Sequence, residues 1–140
     1  MTTTYFESTL GIEDAELCWK EAIESKQLQN IASLYCDKAV LMGALSPKVA
    51  YGKKEISSYF KLLKSLDQLS VHFFETRITK LGHAAINSGV YRFDFMENGE
   101  QKNFVARYTF VLEYKEASGQ WLIVNHHSSL LPQKHSGLIS

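Results

Sequence analysis

The hydrophobic period of the chain changes once, at Leu69, and that change limits the folds open to it. Beyond it lie four long segments of period two: 69–81, 84–96, 103–114 and 120–131. All are rich in β-branched and aromatic residues, as strands require. Their connectors, Leu81-Gly82-His83, Glu97-Asn98-Gly99-Glu100 and Ser118-Gly119, carry turn chemistry. Close turns make the strands an antiparallel meander. Before Leu69 the spacing is helical. Residues 12–26 place Ile12, Ala15, Trp19, Ala22 and Ile23 on one stripe. Residues 28–35 repeat the pattern with Leu28, Ile31, Ala32 and Tyr35, and 53–66 with Ile56, Tyr59, Phe60, Leu63 and Leu66. The acidic residues of the first helix come early and its lysines later, as the helix dipole favours. Residues 39–43 read as a short strand, and 44–52 as a loop whose Pro47 excludes a central strand. Helices followed by a run of strands predict an α+β fold. Its N-terminal helices pack on one face of a strongly curved, mainly antiparallel sheet. Residues 1–140 form one domain, and the tail after Leu131 is expected to leave the sheet.

Charge excludes some partners. Lysine plus arginine equal aspartate plus glutamate at 15 each, so there is no positive field for nucleic acid or an anionic membrane. The N-terminus lacks the basic start and apolar run of a signal peptide, and no apolar segment approaches the roughly 20 residues a bilayer requires. A cytoplasmic protein is expected, with Cys18 and Cys36 as buried thiols. Neither Gly-x-Gly-x-x-Gly nor a phosphate loop occurs, so no cofactor is expected.

The chemistry-bearing stretch is Asn125-His126-His127-Ser128-Ser129. Successive strand residues point to opposite faces, so His126 and His127 cannot share an ion, and no metal is expected. Neither serine sits in a Gly-x-Ser-x-Gly elbow. A tight turn at residues 116–119 pairs Tyr114 with Trp121 and, by continuation, Arg107 with Ser128. That puts Arg107, His126 and Ser128 on one face and His127 on the other. A tight turn at Asn98-Gly99 adds Arg92 and Asp94 to the first face. Tyr91, Phe93, Phe95, Tyr108 and Phe110 fall on the second. A β-bulge would break this register. Neighbouring arginines repel unless something negative stands between them. They are either solvated beside Asp94 and Glu75, or line a cavity for a carboxylate. If helices cover the arginine face, the aromatic face is left for an interface.

The stretches "CWKEAIESKQLQNIASLYCDKAVLMGALSPKVAYG", "ITKLGHAAINSGVYRF", "ARYTFVLEY" and "GQWLIVNHHSS" resemble the nuclear transport factor 2-like superfamily, a cystatin-like α+β cone roll. Within it they resemble most the association domain of calcium/calmodulin-dependent protein kinase type two and its stand-alone SnoaL-like bacterial relatives. The resemblance covers roughly residues 12–132. It implies a self-assembling domain, a homodimer or larger, without kinase activity of its own. A small acidic or hydrophobic ligand would bind in a cavity lined by Arg92, Arg107, His126 and Ser128. Ser128 stands where the kinase domain carries a third arginine, which departs from the family's anion site. The interface would be formed by Tyr91, Phe93, Tyr108, Phe110 and His127. The alternative is a SnoaL-like isomerase, cyclase or dehydratase, with Asp94 as base, His126 as its partner and the arginines stabilising an enolate-like oxygen.

Overall fold

Every period-two segment becomes a strand of one sheet. A computed structural model describes residues 2–132, with side chains from Gly11 onward. Helix α1 (Thr2–Ser25) and the short helix α2 (Leu28–Ala32) lead into strands β1 (Tyr35–Met42) and β2 (Ala50–Tyr51). Helix α3 (Gly52–Phe60) and a 3-10 turn (Lys61–Ser65) follow. The long strands are β3 (Asp67–Leu81), β4 (Ala84–Glu97), β5 (Glu100–Lys115) and β6 (Gln120–Leu130). The sheet order is β2-β1-β6-β5-β4-β3. Strands β3 to β6 form the expected meander, whereas β1 joins β6 in parallel. The tight turn falls at Asn98-Gly99. Both residues have positive φ, 53° and 78°, and Glu97 pairs with Glu100. That is the primed hairpin turn favoured by Asn-Gly.

Several local expectations are corrected. Helix α1 begins at Thr2, so its first turn holds no acid and its last turn no base, and the dipole argument does not apply to it. Helix α2 ends at Ala32, and Tyr35 opens β1 instead of closing a helix. The loop around Pro47 contains the edge strand β2. Cys18 is exposed and Cys36 half-buried. Residues 131 and 132 have left the strand, and the rest of the tail lies outside the described residues. No helix among the described residues is long and apolar enough to cross a membrane.

Helix α1 lies across the concave face of the sheet, and Trp19 is the centre of that contact. Its indole stacks on Tyr91 with 5.3 Å between centroids and meets Phe73, Phe93 and Phe110 edge-on. Aromatic pairs of this kind contribute about 0.5–1.5 kcal/mol each beyond their burial. This cluster decides which face the helices cover. Two irregularities curl the sheet around it. In β6 the ladder shifts between Val111 and Leu112 of β5, which pair with Asn125 and Ile123 and leave Val124 as the extra residue. In β3 the ladder shifts between Phe74 and Arg77, beside Gly89 of β4. A Cβ at position 89 would stand 2.8 Å from the Phe74 carbonyl oxygen, so this close backbone approach requires glycine. Bulges bend and twist a strand, and on the edge strand β3 they also blunt edge-to-edge pairing.

Candidate functional site

The Val124 bulge relocates the predicted site. Beyond it Arg107 pairs with Ser129, Tyr108 with Ser128, Thr109 with His127 and Phe110 with His126. His126 and Ser128 therefore share the concave face with Tyr91, Phe93, Tyr108 and Phe110. Those four aromatics are 1–4% exposed, inside the domain's own core. They are not available as the interface that their alternation suggested. His127 does lie on the outer face, exposed.

The arginines share a face with each other but not with His126. Arg92 opposes Val105 and Arg107 opposes Val90, which makes them diagonal neighbours on the convex, outer face. Arg107 is exposed. Arg92 Nε donates to both Asp94 oxygens, at 3.0 and 3.1 Å, and its guanidinium lies 5.3 Å from the centre of the Phe74 ring. His72 Nε2 stands 3.2 Å from Asp94 Oδ2 on the same face. The expected arginine-lined cavity, and the pairing of Asp94 with His126 as base and partner, are both corrected. The aromatic side chains gain more from burial than the arginines, and the bulge carried His126 and Ser128 to the aromatic side.

What His126 meets inside is a chain of neutral hydrogen bonds. Trp19 Nε1–H donates to the Tyr35 hydroxyl at 3.0 Å. The Tyr35 hydroxyl lies 2.8 Å from His126 Nδ1, and the Tyr91 hydroxyl lies 3.1 Å from His126 Nε2. The buried Tyr35 hydrogen needs an acceptor, and His126 Nδ1 is the one that the described residues place within reach. A neutral imidazole then carries its hydrogen on Nε2 and donates it to Tyr91. The Tyr91 hydroxyl in turn meets Ser128. Ser128 Oγ also accepts the Ala44 N–H at 3.2 Å, so its hydroxyl ends the chain at the cavity.

Burial keeps this chain uncharged. His126 is 1% exposed, and desolvation, with His127 adding repulsion, pushes its pKa down to about 3. Desolvation also holds the Tyr35 and Tyr91 phenols above their ordinary range. A second buried group sits further along the concave face. Tyr108 donates to Asn87 Oδ1 at 2.8 Å, and Asn87 Nδ2 donates to Glu16 Oε1 at 2.9 Å. Burial raises the Glu16 pKa.

The His126 chain forms the floor of a narrow cavity of about 20 Å³. That is room for about one water. Its walls are apolar, from Leu41, Phe60, Leu63, Phe93 and Phe104, and Tyr59 stands at one side. Its polar atoms belong to Trp19, Tyr59, Tyr91, His126 and Ser128, none of them charged. Among the described residues no group of three or more metal-ligating side chains occurs.

Sequence reasoning assigned Tyr35 and Trp19 to helix stripes and Tyr91 to an interface. Of the three, Tyr91 carried a usable signal: an aromatic sheet face and a tryptophan-bearing helix stripe belong together. Tyr35 carried none, because the chain turns from α2 into β1 within two residues, Ser33 and Leu34.

An α+β cone of this kind, helices on the concave face of a six-stranded curled sheet, defines the cystatin-like, nuclear transport factor 2-like class. A Novosphingobium aromaticivorans protein described as nuclear transport factor 2-like with a cystatin-like fold matches with a TM-score of 0.83 at 14% identity. The match spans 95% of this chain and 88% of that one. A protein of the same organism assigned as a scytalone dehydratase matches with a TM-score of 0.81 at 15% identity, over 94% of this chain and 89% of that one. Within the class, the calcium/calmodulin-dependent protein kinase II association domain family matches residues 15–132, and the chain belongs to that family. A Xanthomonas campestris protein assigned to the same association domain is 30% identical, with a TM-score of 0.78 over 91% of this chain and 88% of that one. Among curated proteins nothing matches this chain.

Proposed function

We propose that this chain is an association-type domain that self-assembles and binds a small uncharged ligand behind Tyr59. The observation that carries the ligand class is the charge distribution. Arg92, Arg107 and Asp94 stand on the convex face, whereas the cavity floor is a neutral chain ending in the Ser128 hydroxyl. A carboxylate in that cavity would lose its hydration without gaining a counter-charge, a penalty of several kcal/mol. An apolar ring bearing one carbonyl or hydroxyl group matches the walls and the Ser128 hydroxyl among them.

Self-assembly is supported by family membership and by a convex face that no helix among the described residues covers. That face mixes Phe74, Val90, Val105, Arg107, Thr109 and His127, with Phe74, Arg107 and His127 exposed. Both sheet edges are poor partners, since β2 has two residues and β3 is bulged. An isomerase, cyclase or dehydratase built on Asp94 and His126 loses its geometry, because the two residues lie on opposite faces. Both ring nitrogens of His126 are also engaged, by the Tyr35 and Tyr91 hydroxyls.

The test is a thermal-shift titration with acetophenone and benzoate, near-isosteres that differ in charge. Ligand at about ten times Kd stabilises by about 1.4 kcal/mol, or about 4 °C for a domain of this size. Acetophenone should raise the melting temperature and benzoate should not. A benzoate effect equal to that of acetophenone would overturn the reading.

A further inference from the structure

The cavity as it stands holds little more than a water, yet a groove of about 380 Å³ shares one lining residue with it. Tyr59 lines both spaces. The groove is formed by Ser46, Lys48, Val49, Ala50, Glu55 and Ser58, and its volume falls in the range of small-molecule sites. The adjoining segment 45–51 carries three exposed large apolar side chains, Leu45, Val49 and Tyr51. Apolar exposure grouped around a groove mouth is the pattern of a binding entrance.

The Tyr59 ring is seated there by a residue with no side chain. A Cβ at Gly43 would stand 2.2 Å from the Tyr59 ring carbon Cζ and 2.3 Å from its hydroxyl oxygen. Only glycine leaves room for the ring in this position. The Tyr59 hydroxyl accepts a single hydrogen bond, from the Leu45 N–H at 3.3 Å, which is long for such a bond. On its inner side the ring rests edge-on against Phe60, 5.0 Å between centroids. The contacts that close the passage are therefore one weak hydrogen bond and apolar packing. A side-chain rotation at Tyr59 breaks the first without unfolding α3.

We propose that Tyr59 is the gate of the buried cavity, and that its outward rotation joins cavity and groove into the site of an uncharged aromatic carbonyl compound. The inference rests on the cavity being a ligand site. With the gate open, the ring of the ligand takes the place of the Tyr59 ring against Phe60 and Leu45. Its oxygen points inward to the Ser128 hydroxyl.

Two variants open the gate by different routes. Tyr59→Ala removes the ring, and Gly43→Ala expels it while leaving the phenol in the chain. The experiment is stopped-flow quenching of Trp19 fluorescence by acetophenone, on a Trp121→Phe background so that one indole reports. Both variants should bind with an association rate at least tenfold above that of the parent. Ser128→Ala, added to Tyr59→Ala, should raise Kd about tenfold. If the parent binds as fast as both variants, the cavity is a site without a gate and the proposal fails alone. If no protein in the set quenches, the ligand reading and the gate fail together. If quenching is insensitive to Ser128→Ala, the probe sits in the groove only, and the proposal also fails.

Discussion

His126 connects the two halves of the buried chain, and its protonation state determines what the cavity can bind. Burial depresses its pKa from 6.5 to about 3. The unfolded chain therefore takes up a proton first as pH falls. The stabilisation from neutral His126 is complete above about pH 6.5 and is lost as pH drops toward 3. The slope is about 1.4 kcal/mol per pH unit, so by pH 4.5 about 3 kcal/mol should be gone. His126→Phe keeps the apolar volume but leaves the Tyr35 and Tyr91 hydroxyls each short of a partner. It should cost about 1–3 kcal/mol at pH 7. The variant lacks the histidine slope, so urea denaturation should show the gap closing between pH 7 and pH 4.5. A gap independent of pH would mean that His126 is not held neutral.

At the scale of elements, one residue separates the expected site from the observed one. The period-two pattern located all four long strands, and the Asn98-Gly99 and 116–119 turns gave the pairs Glu97–Glu100 and Tyr114–Trp121. Counting onward from Trp121 then fails at Val124. That residue is β-branched and apolar like its neighbours, and nothing in its chemistry marks it as the extra one. The shift moved His126 and Ser128 to the face of Tyr108 and left Arg107 beside Ser129. The parallel joining of β1 to β6 was equally hidden. Its register slips between Tyr35 and Val40, so β1 offers no clean alternation. The expected helix-side position of His126 and Ser128 rests on their sharing a face with Arg107, and the bulge breaks that pairing. The arginine lining was not legible, because it required knowing which face Trp19 would choose.

For the whole molecule, the concave face supplies the cavity and the convex face remains for association. Arg107 is exposed on the convex face, so Arg107→Glu should leave the fold intact and weaken assembly by charge reversal. Sedimentation velocity at tens of micromolar should find the parent as a dimer or larger and the variant shifted toward monomer. A monomeric parent would remove the association half of the proposal. The ligand half depends on a neutral floor, and the imidazole of His126 reports on it directly. A long-range nitrogen-proton NMR spectrum of the histidine rings identifies tautomer and charge. The account predicts that at pH 5 His126 is still neutral, with its proton on Nε2 and a bare Nδ1. An imidazolium at that pH, or a proton resident on Nδ1, would contradict it.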